Sequence, residues 1–300
     1  MSATGVTPID FAADRAAVAR AIDALVVRTL SDQQGPVSDA IRYSLAGEGK
    51  RLRGILVRSA YRAAGGRDDV SALAAAVEVV HAYSLVHDDL PCMDDDDMRR
   101  GRPTVHKVYG VAAATAAGMA MVPLAAEAAD HAAESLGLDA STRGEIVRTL
   151  MQASGAGGMI GGQLLDLEGE GLALDLAQLE RIHRCKTGAL IEAAMRIGGL
   201  AAHADHAMLD AFAQYGASIG LAFQIADDVL DITATTDQLG KTAGKDVQFR
   251  KSTYPALLGV AGAKARAELL VREACTGLEA QGALTPELEF LARFVVARRS

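Results

Sequence analysis

Between Asp88 and Asp97 the chain reads DDLPCMDDDD, six carboxylates in ten residues. Charges this close raise one another's pKa values or draw in a cation, and a dense set of oxygen ligands suits Mg²⁺ better than zinc or copper. A bare run of aspartates also makes an ordinary solvated acidic loop, so the first cluster alone decides nothing. A second cluster, Asp227, Asp228 and Asp231, lies inside FQIADDVLDI. Residues 227 and 231 are i and i+4, so both carboxylates leave one face of a helix. The flanking Phe223, Ile225, Val229, Leu230 and Ile232 predict burial, and buried carboxylates need partners.

The first cluster needs another geometry. On a continuous helix Asp88 and Asp94 would stand about 240° apart around the axis and could not share a metal. Pro91 lies between them and disfavours continuation of the helix, so the chain is expected to unwind there and bring Asp94 back toward Asp88.

Positive charge comes in short groups rather than in a stripe. Lys50, Arg51 and Arg53 follow Gly49, Arg99 and Arg100 follow the first acids, and Lys186 heads Lys186-Thr187-Gly188. Lys241, Lys245 and Lys251 come later. Guanidinium forks match phosphate oxygens, so metal and cations together could hold a diphosphate. Taken singly, each group could equally be a set of surface salt bridges.

These residues must be carried by helices. Half of the 300 residues are hydrophobic, mostly alanine-rich segments with leucine, valine and isoleucine at three- and four-residue steps, and alternating β-branched runs are almost absent. The fold class is all-α. Leu73, Val77 and Val80 with Val79, Tyr83, Val86 and Leu90 predict a helix buried on most sides that leads into the first acids. Helix starts are expected at Ser141 or Thr142, at Asp175 with Gln178, and at Thr285 before Pro286. Glycine-rich breaks at 65–66, 155–162 and 240–244 separate helices without a linker, so residues 1–300 read as one domain. A net charge of -8 argues against nucleic acid as a partner. Three cysteines without a CxxC pair argue against a disulfide framework. Apolar stretches interrupted by charge read as short of the roughly 20 residues that span a bilayer, so no transmembrane segment is expected, and the cytoplasm fits best.

GKRLR at 49–53, DDLPCMDDDDMRRGRPTVHK at 88–107, GGQLLDLE at 161–168, HRCKTGALI at 183–191, FQIADDVLD at 223–231 and GKTAGKD at 240–246 together resemble the trans-isoprenyl diphosphate synthases, most of all their bacterial farnesyl-producing branch. The resemblance implies a helical bundle around a deep central cavity, a homodimer, and condensation of isopentenyl diphosphate with an allylic diphosphate. It implies Mg²⁺, three ions in the closed complex with Mn²⁺ as a substitute, held by Asp88, Asp89 and Asp94 on one wall and Asp227, Asp228 and Asp231 on the other. Arg99, Lys186 and Lys241 would grip the allylic diphosphate. Lys50, Arg53, His81 and Arg100 would bind isopentenyl diphosphate, with Lys251 at a closing flap and Thr187 and Gln224 at the reacting centre. Tyr83 and Ser84, five and four residues before Asp88, would set product length, and an aromatic at Tyr83 favours the fifteen-carbon farnesyl product over geranylgeranyl.

Two departures stand out. Gly54 stands where a proline commonly follows the GKRxR segment, and GMAM at 118–121 replaces GDAL, after which Pro123 is expected to interrupt the helix. Met93, Met119 and Met121 read as core fillers, and His87 as a hydrogen-bonding neighbour of Asp88 rather than a ligand. Competing readings are a terpene cyclase, which the 4% aromatic content and absent tryptophan disfavour, and a non-catalytic synthase subunit, which would lack one aspartate motif.

Overall fold

The computed structural model describes residues 9–47, 49–233 and 252–297. Helices α1 (Ala12–Leu30), α2 (Pro36–Leu45), α3 (Leu52–Ala63) and α4 (Ser71–Asp88) precede a two-stranded ribbon, β1 (Met98–Arg99) with β2 (Arg102–Pro103), antiparallel. Then come α5 (Val105–Tyr109), α6 (Val111–Ser135), α7 (Ala140–Ser154), α8 (Met159–Glu168) and α9 (Leu176–His183). A π-helical turn (Arg184–Gly188) joins α9 to α10 (Ala189–Ala201), followed by α11 (His206–Thr233), α12 (Tyr254–Ala280) and α13 (Pro286–Ala297). The all-α expectation holds.

Helix α4 is the hub, packed against α1, α3 and α6. Its predicted apolar tracks are buried, from Leu73, Val77 and Val80 to Val79, Tyr83 and Val86, because alanines between them let neighbouring helices close in on several sides. Helix α10 packs between α3 and α11, and α12 covers α11. The α3–α10 contact depends on Gly198, where a Cβ would stand 2.4 Å from the Val57 carbonyl oxygen.

Helix α9 starts at Asp175 with both bonds of a capping box, as expected. Thr285 Oγ1 accepts from Leu288 N at the head of α13. Helix α7 starts two residues earlier than expected. Its cap is Asp139, which accepts from Ser141 N and Thr142 N, a stronger acceptor than the hydroxyls that follow it.

Two further expectations are corrected. Pro123 sits inside α6 rather than ending it; the proline is exposed, so the Met119 carbonyl it deprives of a donor can turn to water. Met119, on the same face, is 66% exposed and fills no core, whereas Met121 is fully buried. Helix α6 is long and apolar enough to cross a membrane, the one such helix among the described residues. It packs on α2, α4, α5 and α7.

Candidate active site

Helix α4 ends at Asp88, and the chain turns at once. Asp94 N donates to the Asp88 carbonyl at 2.9 Å, and Met93 N and Asp95 N both donate to the Leu90 carbonyl. The predicted break at Pro91 thus folds Asp94 back over Asp88. Asp88 is pushed up to about 6, first by burial, with Lys186 pulling the other way and Asp94 and Asp89 adding repulsion. Asp89, 3% exposed, is pushed to about 6 by burial and is partly relieved by Arg99, whose Nη2 lies 2.5 Å from Asp89 Oδ1. Buried carboxyls that repel one another and offer only oxygen are what a hard divalent cation relieves, so Asp88, Asp89 and Asp94 fit Mg²⁺. Further along, carboxylate oxygens of Asp95 and Asp97 come within 4.8 Å of each other and of a His106 ring nitrogen, and Lys107 holds Asp97 at 2.7 Å.

The effect of Lys186 on Asp88 sets the second wall beside the first. Lys186 and the buried Thr187 ride on the π-helical turn, which packs against α8 and α11. The approach of α8 requires Gly162, where a Cβ would stand 2.2 Å from Lys186 N. Lys186 Nζ lies 2.7 Å from Asp166 Oδ2, and Gln163, one turn earlier on α8, reaches the Met93 sulfur at 4.0 Å.

On α11, Asp228 and Asp231 are buried and Asp227 half-buried. Asp228 Oδ2 accepts from Tyr254 N at 2.9 Å. It lies 3.7 Å from Nε2 of His183, whose ring stacks on Tyr254. Ile225 and Val229 are buried as expected, but Ile232 is exposed. Gln224 is half-buried beside Phe223.

A cavity of about 970 Å³ opens beside the first wall, its lining including Lys50, Arg51, His81, Asp89, Arg99 and Arg100 as well as Phe11, Phe290 and Phe294. Phe223 also lines it, one helical turn before Asp227. Arg53 is not in the lining; its pKa is lowered by burial, partly restored by Glu78 and lowered further by Arg100. His81 is held well below its ordinary pKa by burial and by Arg53, Arg100, Arg99 and Arg51, so it is neutral near pH 7. Lys241 and Lys251 lie outside the described residues.

Tyr83 is buried, its ring set edge-on against His87 at 4.9 Å. Burial and then the Asp88 charge raise its phenol pKa. Ser84 Oγ donates back to the His81 carbonyl. His87 Nε2 lies 3.1 Å from the Thr115 carbonyl oxygen of α6, so the hydrogen bond of this ring is to the neighbouring helix.

Two residues at the site were passed over in the sequence. Asp166 stands inside GGQLLDLE, three after Gln163, and Glu78 is the one acid of α4 before Asp88, three before His81. The available signals were the i, i+3 spacing of Glu78 to His81 and the place of Asp166 in the GGQLLDLE motif.

The family model described as polyprenyl synthetase matches residues 34–282. The chain is 45% identical over 277 residues to the farnesyl diphosphate synthase of Escherichia coli (strain K12), covering 91% of this chain and 92% of the relative. It is 45% identical over 248 residues to geranylgeranyl pyrophosphate synthase 12 of Arabidopsis thaliana, a chloroplastic protein, covering 81% of this chain and 68% of the relative. The crystal structure of an FPP/GFPP synthase from Zymomonas mobilis superposes with a TM-score of 0.81 at 34% identity, covering 95% of this chain and 98% of that one.

Proposed function

The chain belongs to the polyprenyl synthetase family, and we propose that it is a magnesium-dependent prenyltransferase that adds isopentenyl diphosphate to dimethylallyl and then geranyl diphosphate, releasing farnesyl diphosphate and diphosphate. The observation that carries this is the end of α4, where Asp94 N returns to the Asp88 carbonyl and the Lys186 charge reaches Asp88: one half-buried point where acids for a metal and a cation for a phosphate converge.

In this reading Asp88, Asp89 and Asp94 hold Mg²⁺ with Asp227, and Asp228 and Asp231 complete the second wall. Bound there, three Mg²⁺ ions, or Mn²⁺ in their place, supply Lewis-acid charge to the allylic diphosphate. Lys186, Arg99 and Lys241 neutralise the same group as its C–O bond breaks and the electron pair leaves with the diphosphate. The isopentenyl double bond then attacks the allylic carbon, and the proton lost passes to the released diphosphate. Thr187 and Gln224 flank the reacting carbons, and the apolar walls keep water from quenching the cation. Lys50, His81 and Arg100 hold isopentenyl diphosphate in the cavity, Arg53 adds its charge from outside the lining, and Lys251 assists. Neutral His81 contributes a hydrogen bond there rather than charge.

Residues 1–300 act as one domain in this reading, in the cytoplasm and as a homodimer. The apolar Val108, Val111 and Met119 exposed on and beside α6 offer a face for the second copy. Chromatographic analysis of products formed from isopentenyl diphosphate with dimethylallyl, geranyl or farnesyl diphosphate tests the activity. A predominant fifteen-carbon product from the first two is expected, and no condensation with any starter would refute the reading. Geranylgeranyl diphosphate synthesis is the second reading, favoured by the similarity to the Arabidopsis enzyme; a twenty-carbon main product would establish it.

A further inference from the structure

Glu78 is buried at 2% exposure among cations. It lines the cavity in company with Lys50, Arg51, His81 and Arg100. One of its oxygens accepts from Gly54 N at 2.9 Å, and the other lies 3.8 Å from Arg51 Nη1. Gly54 is the third residue of α3. A helix start leaves its first-turn amides without partners and carries partial positive charge. Arg51, at the cap position, has a left-handed φ of 50° and no side-chain capping bond, so the turn has no acceptor of its own there. The carboxylate that serves it comes from α4, across the helix pair.

Residue 54 makes this arrangement particular to the chain. A proline at that position has no N–H and could not donate to Glu78. A side chain would crowd the contact too, since a Cβ at Gly54 would stand 3.0 Å and 3.1 Å from the two Val18 methyls and 3.4 Å from Glu78 Cγ. The glycine brings α3 down onto α1 and α4 while leaving an amide for the acid. Arg51 is tethered to Glu78 and through Nη2 to the Gly47 carbonyl at 2.6 Å and the Leu45 carbonyl at 3.5 Å.

We propose that Glu78 is a positioning residue for isopentenyl diphosphate: it caps α3 through Gly54 and tethers Arg51, holding the turn that carries Lys50, Arg51 and Arg53 in the geometry that receives the diphosphate. The proposal rests on the reading that the cationic lining of the cavity takes this substrate. Glu78 touches no substrate. It acts through the turn.

The test is steady-state kinetics with each substrate varied in turn, together with thermal unfolding, for Glu78→Ala, Glu78→Gln and Gly54→Pro. Glu78→Ala is expected to raise KM for isopentenyl diphosphate about tenfold or more while KM for geranyl diphosphate changes less than about twofold. Glu78→Gln, which keeps an acceptor for the Gly54 amide, should recover most of that loss. Gly54→Pro removes the donor and leaves the acid, and should raise the same KM about threefold or more. Unchanged KM in Glu78→Ala and Gly54→Pro overturns the proposal, as does a parallel loss for both substrates that follows a fall in Tm. Should Glu78→Ala not fold, Gly54→Pro decides. Arg100→Ala separates the two failures. A raised isopentenyl KM there with none in the Glu78 variants removes the positioning role alone, while no effect there refutes the assignment of the cavity and the role of Glu78 with it.

Discussion

Lys186 Nζ and Asp166 Oδ2 stand 2.7 Å apart, one on the π-helical turn and the other on α8. Both side chains are largely withdrawn from solvent, so the acid fixes where the ammonium points toward Asp88. Replacing Asp166 by alanine releases the ammonium to solvent and to the neighbouring carboxylates. We expect kcat/KM for the allylic diphosphate to fall about ten- to a hundredfold with little change in unfolding temperature. Steady-state assay with the isopentenyl substrate saturating measures it; unchanged kinetics would show that Lys186 needs no such restraint.

Tyr83 and His87 meet edge to face at 4.9 Å, and the tyrosine is buried five residues before Asp88. Tyr83→Ala should lengthen the main product by at least one isoprene unit, read by chromatography of the dephosphorylated alcohols. Products no longer than those of the unsubstituted protein would mean that the ring is ordinary core.

Metal-free stability should depend on pH in a window set by the first motif. Asp88 and Asp89 have folded-state pKa values near 6 against an ordinary value of 3.8, so the folded protein binds their protons more tightly than the unfolded chain. Stability therefore falls as pH rises from about 4 to about 6 and levels off above. Asp14 and Asp69, lowered by their arginine partners against the opposing effect of burial, act below that window. Thermal unfolding in a chelating buffer across this range should show the decline, Asp88→Asn should flatten it, and millimolar Mg²⁺ should offset it at neutral pH. A profile identical in the variant would assign the dependence to other groups.

Gly198→Ala should destabilise the fold by about 1–3 kcal/mol, because the new methyl meets the Val57 carbonyl of α3 rather than a movable side chain. Denaturant or thermal unfolding measures this, with product distribution expected to stay unchanged.

What could be foreseen from the chain was whatever depends on near neighbours. The capping box at Asp175 and Gln178 is a reciprocal bond over three residues, and the return of Asp94 to Asp88 follows from the stiffness of Pro91. Relationships between helices could not be foreseen. Nothing near Glu78 announces that its partner is the amide of Gly54, and nothing near Asp166 announces Lys186. Met119 and Pro123 were misjudged for a related reason: whether a helix position is tolerant or buried depends on which neighbour covers it, and that side of α6 is uncovered.

The bond from Asp94 N to the Asp88 carbonyl closes a loop between residues six apart in sequence. The bonds from Lys186 to Asp166, from Gly54 to Glu78 and from Tyr254 to Asp228 close separations of 20, 24 and 26 residues. Each wall is thus organised by near neighbours in the chain, at modest loop-closure cost, while the two walls lie far apart along it. During synthesis from the N-terminus the residues that close the first wall leave the ribosome before those of the second, but α3 finds its main packing partner only when α10 follows.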